Sequence, residues 1–77
     1  MKLSDEEREF MRLVFEETSG IPLKPVAMTE LPFAAEALRT KGFIKLQRSG
    51  RDTWVVAITG EGSAWAHLRF VDNKRGR

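Results

Sequence analysis

Lys45, Arg48 and Arg51 fall within the seven residues KLQRSGR and bracket a Ser-Gly pair. Cations gathered around a turn have one direct chemistry: they neutralise phosphate oxygens, and a glycine-bearing turn gives them reach. Arg39, Thr40 and Lys41 stand just upstream and add side chains of the types that touch base edges or phosphates. The other chemistry-bearing residues are sparse. The chain has no cysteine, which excludes disulfides, thiolate nucleophiles and cysteine-ligated metals. Its one histidine, His67, has no sequence neighbours of the kind that complete a metal set or a proton relay. The acidic run Asp5, Glu6, Glu7 and Glu9 is accounted for by the start of a helix, and TGEGS from Thr59 is too short for a phosphate-cradling loop. The expectation is a non-enzyme with no catalytic residue, no metal and no cofactor.

The elements that position those cations follow from length, charge and period. With 77 residues and 42% apolar content, the chain can build one small core. A single domain over 1–71 is expected, followed by a basic flexible tail over 72–77, DNKRGR, which has no apolar residue to anchor it. No apolar run reaches the roughly 18 residues of a membrane span, and MKLSDEEREF turns acidic too early for a secretory signal. The expectation is a cytoplasmic location without membrane contact. Charge is divided along the chain: residues 1–38 carry four cations and eight carboxylates, residues 39–77 nine cations and three carboxylates. A division of that sign points to an anionic partner for the second half.

Ser4 and Glu7 have capping-box spacing, and Phe10, Met11, Leu13, Val14 and Phe15 supply an apolar face, so a first helix is expected over 5–18 with Gly20 at its end. Ile21 to Leu23 reads as a short extended piece, after which Pro25 opens one or two helical turns through Met28. A further helix is expected over 31–41, with Leu31, Ala34, Ala35 and Leu38 on its buried face and Gly42 as its stop. The period then changes to two. Ile44 and Leu46 share one face, as do Trp54, Val56 and Ile58, which makes an antiparallel hairpin turning at Ser49 and Gly50. A last helix, capped by Thr59, should direct Ala64, Trp65, Leu68 and Val71 to the core, with Trp54 and Trp65 as core residues.

This order of elements resembles a winged helix-turn-helix domain. EALRTKGFIKL resembles the end of a recognition helix running into a first wing strand, and VVAITGEGSAWAHL resembles the second wing strand and the LTxxG start of a final helix. Both are similar to small transcriptional regulators of the MarR and PadR kinds, over about residues 36–69. Leu38, Gly42, Phe43, Ile44, Ile58, Thr59 and Gly62 match folding positions of that pattern. The resemblance implies an α+β fold of three to four helices with the hairpin as wing, double-stranded DNA as partner, and a role in transcription regulation. It places Arg39, Thr40 and Lys41 on or beside the recognition helix and Lys45, Arg48 and Arg51 in the wing, along the phosphates. The eight residues between Gly20 and Thr29 contain two prolines, where that pattern has a full supporting helix.

A second expectation comes from the outward residues of the same helix. Phe33 and Glu36 suit a protein contact better than a phosphate, and Phe70 near the end of the last helix suits a homodimer. Phe33, Glu36 and Phe70 are therefore the expected interface residues if the partner is a protein, with the domain serving as an interaction module in a larger assembly.

Overall fold

The computed structural model describes residues 2–72. The first helix, α1 (Asp5–Thr18), starts on the expected capping box: the Ser4 hydroxyl accepts from the Glu7 amide at 3.2 Å, and the Glu7 carboxylate accepts from the Ser4 amide at 2.9 Å. Phe10, Met11 and Val14 are buried, and so is Thr18, whose hydroxyl donates to the Val14 carbonyl at 2.8 Å. The helix closes through two left-handed residues, Ser19 (φ 57°) and Gly20 (φ 74°), with the Gly20 amide returning to the Phe15 carbonyl.

The segment that follows departs from expectation. Leu23 turns left-handed (φ 68°) and donates its amide to the Ile58 carbonyl at 2.8 Å, so 21–23 is a turn and not an extended piece. Val26–Met28 is a strand, β1, in place of the expected helical turns. The reason lies in cooperativity: three residues cannot nucleate a helix, whereas a ready-made strand edge satisfies their backbone groups at once. That edge belongs to β3 (Thr53–Ile58), against which Val26, Ala27 and Met28 pair antiparallel to Val56, Val55 and Trp54. No helix among the described residues lies between α1 and the next one, α2 (Phe33–Thr40).

After α2 the chain turns at Gly42 (φ 84°), where the left-handed conformation requires a glycine, and enters β2 (Ile44–Ser49). β2 and β3 form the expected hairpin in the register Ile44↔Ile58, Leu46↔Val56 and Arg48↔Trp54. The sheet order is β1-β3-β2. Ile44, Val56 and Ile58 are buried, and Lys45 and Gln47 are exposed on the opposite face. Ala57 is buried as well.

The last helix, α3 (Gly60–Ala66), is capped by Thr59 as expected, the hydroxyl accepting from the Gly62 amide at 3.0 Å. Its inward face differs from the one expected. Gly62, Ser63 and Ala66 are buried, while Ala64 is exposed and Leu68 is 62% exposed. Gly62 sets this rotation, because a Cβ there would run into the Phe43 carbonyl. The helix then widens into π turns over His67–Asp72, which bring Phe70 onto the core where an α-helical continuation favours Leu68. Trp65 is half-buried and packs against the core, whereas Trp54, expected in the core, is half-buried outside it beneath the Arg48 guanidinium.

Among the described residues the result is an α+β fold of three helices with a three-stranded antiparallel sheet. Leu3, Phe10, Met11, Val14, Leu38, Phe43, Ile44, Val56 and Ile58 form its centre. No helix among the described residues is long and apolar enough to cross a membrane. From residue 73 on, the expected basic tail lies outside the described residues.

Candidate nucleic-acid interface

Burial of Ala34, Ala35 and Leu38 against α1 and the sheet turns the other side of α2 outward. Phe33, Glu36, Arg39 and Thr40 are exposed there. Arg39 is not a free cation: its Nε contacts both oxygens of Glu36 at 3.0 and 3.2 Å, and a terminal nitrogen lies 2.9 Å from Oε1. The hydrogen bonds and charge of Glu36 raise the arginine pKa further. The turn of helix that presents Arg39 therefore carries no net charge.

Lys41, expected among the DNA contacts, has a different assignment in the fold. Its ammonium donates to both Glu7 carboxylate oxygens at 3.0 and 2.9 Å, tying the end of α2 to the first turn of α1. Both side chains are largely enclosed, with 28% of Lys41 and 11% of Glu7 exposed. The lysine hydrogen bonds, then the Ser4 amide, hold the Glu7 carboxyl below its ordinary value, outweighing the opposite effect of burial. This pair links residues 34 positions apart.

The hairpin keeps its cations uncompensated. No carboxylate lies within ion-pair distance of Lys45, Arg48 or Arg51 among the described residues. Arg48 curls over its own turn: one nitrogen donates to the Arg51 carbonyl at 2.6 Å, Nε approaches the Gly50 carbonyl at 3.4 Å, and the guanidinium sits 5.3 Å from the Trp54 ring centroid. It pins the turn while retaining its charge. Lys45 and Arg51 are exposed.

Two open grooves meet beside these residues. One, of about 450 Å³, is lined by Arg39, Gly42, Ile44, Lys45, Leu46 and Thr59, which brings a helix cation and a strand cation to a single concavity. The other, about 340 Å³, runs between the start of α2 and the hairpin and is lined by Leu31, Pro32, Phe33, Ala35, Leu46 and Trp54, with Glu36 beside them. Leu46 belongs to both. Phe33, 98% exposed, stands over the second groove. Phe70 is unlike it: half-buried, with its ring centroid 5.8 Å from Phe15 and 5.6 Å from Trp65, it packs at the core margin and leaves only part of its ring open.

Sequence reasoning missed a second basic cluster, in which Lys2, Arg8 and Arg12 meet Arg69 across the fold. The helical spacing of Arg8 and Arg12 was the available signal, hidden by the acidic balance of their half of the chain. No protein-family model, no curated protein and no solved structure matches this chain.

Proposed function

We propose that the chain is a small DNA-binding protein of winged-helix type, acting in transcription regulation, with α2 as the helix that faces the major groove and the β2–β3 hairpin as the wing. The observation that carries this reading is the shared groove of Arg39 and Lys45, which aligns the outward side of α2 with the uncompensated cations of the hairpin. The antiparallel pairing of β1 with β3 supports it, since a third strand braces the base of a projecting hairpin.

Lys45 and Arg51 bind phosphate oxygens, and Arg48 adds charge to the turn it holds. Arg39 reaches a base edge only by exchanging Glu36 for the nucleic acid, a small cost for a solvent-exposed pair. Thr40 contacts backbone or base, and Phe33 can meet a thymine methyl. Backbone charge therefore dominates, and binding is strongly salt-dependent with modest sequence preference.

A nuclear magnetic resonance titration with a short random duplex tests this assignment. Amide shifts are expected at Arg39, Thr40, Lys45 and the turn through Arg51, with the Phe10 to Thr18 stretch undisturbed. Shifts confined to residues 31–36, or none at low salt, would refute it. One observation favours a second reading, a protein-interaction module: the near-complete exposure of Phe33 above an apolar groove. On that reading duplex DNA leaves the spectrum unchanged. Duplex-induced shifts along the wing that vanish on Lys45→Ala would exclude it as the sole role.

A further inference from the structure

We propose that the basic cluster on the face opened by α1 and the end of α3 is a binding site for a small phosphate ester carrying an apolar body. The inference is independent of the DNA reading and uses none of its residues. Lys2, Arg8, Arg12 and Arg69 line a cavity of about 370 Å³ whose remaining walls are Leu3, Trp65 and Phe70. That volume lies within the roughly 300–1,000 Å³ span of small-molecule sites. Three separate parts of the chain converge there: the segment before α1, one face of α1, and the end of α3 with the π turns that follow it.

The manner in which the guanidiniums are held points to an anion. Arg12 lies 5.5 Å from the centroid of Phe70, and Arg69 lies 5.5 Å from the centroid of Trp65. The two rings meet edge to face, 5.6 Å apart at 85°. Attraction to a ring at that distance takes up no N–H donor, so the donors that grip phosphate oxygens stay available. Among the described residues the one carboxylate within ion-pair distance of these cations is Asp5, 3.9 Å from Arg8 and almost fully exposed. Four cations so weakly compensated favour a ligand with more than one negative charge, hence a phosphate over a single carboxylate.

The concave shape and apolar wall favour a small molecule over a nucleic-acid backbone. A duplex backbone gains nothing from the rings of Trp65 and Phe70, whereas the organic part of a phosphate ester buries against the area they leave open.

The test is calorimetric titration of the folded chain with phenyl phosphate, inorganic phosphate and benzoate. Phenyl phosphate should bind at least about tenfold more tightly than either of the others, because it alone combines the double charge with the apolar body. Arg12→Gln with Arg69→Gln should remove that binding, and Lys45→Ala with Arg51→Ala should leave it unchanged. Should the first pair perturb folding, Arg8→Gln, an exposed position, should still weaken binding severalfold. Equal affinity for inorganic phosphate and phenyl phosphate, or full binding by the folded arginine variants, would overturn the proposal. So would displacement of phenyl phosphate by a duplex that binds through Arg8 and Arg12, which would assign the face to a nucleic-acid backbone.

Discussion

Gly62 shows how one residue sets the position of a helix. Its missing side chain lets α3 lie against the Phe43 carbonyl, while Thr59 beside it accepts from the Gly62 amide and donates to the Gly42 carbonyl at 2.6 Å. Ser63 adds a third anchor, its hydroxyl donating to the Gly20 carbonyl at 2.7 Å. The start of α3 is thus fastened to the end of α1 and to the junction of α2 with β2. Gly62→Ala should lower stability by about 1–3 kcal/mol, the range for overpacking a tight site, read as an earlier midpoint in urea. An unchanged midpoint would mean that α3 does not approach Phe43 so closely. The sequence TGEGS revealed the cap and the helix start, because both are local. It did not reveal why Gly62 must lack a side chain, since the clashing atom belongs to Phe43.

Between elements, the Glu7–Lys41 pair is the clearest polar link, joining the start of α1 to the end of α2. Because the folded-state pKa of Glu7 is depressed, its stabilising contribution is present above its ordinary value of 4.5 and is lost as pH falls through the lower folded value. Glu7→Gln should therefore cost about 2 kcal/mol at neutral pH, as for a hydrogen bond to a charged group, and the gap from the unaltered chain should close on acidification below that value. Because glutamine can still cap the helix, the absence of a gap would show that Glu7 acts through capping alone. Capping is readable from spacing; the distant lysine is not, and Lys41 reads from sequence as a DNA contact. The hairpin register was readable because period two runs through both strands. β1 was not, because three residues after a proline carry no period and become a strand only beside the edge of β3. The face of α3 is not legible, because the Phe43 carbonyl against Gly62 sets its rotation and the π turns after Ala66 exchange Leu68 for Phe70.

At the scale of the whole molecule, folding redistributes the charge that the sequence displays in halves. Glu36 neutralises Arg39 and Glu7 takes Lys41, which reduces the basic character of α2. Arg8 and Arg12, from the acidic half, join Arg69 in a basic face of their own. The hairpin keeps Lys45, Arg48 and Arg51 without carboxylate partners among the described residues. The central claim is that these hairpin cations hold nucleic-acid phosphates. Fluorescence anisotropy with a random duplex across a salt series measures it directly, comparing the unaltered chain with Lys45→Ala/Arg51→Ala. Arg48 is left in place because it also fastens the turn. The prediction is affinity that falls steeply with salt, and a slope of log K against log salt that is smaller by about two in the double variant. Identical affinity and slope for the two proteins, or no binding at low salt, would contradict the claim.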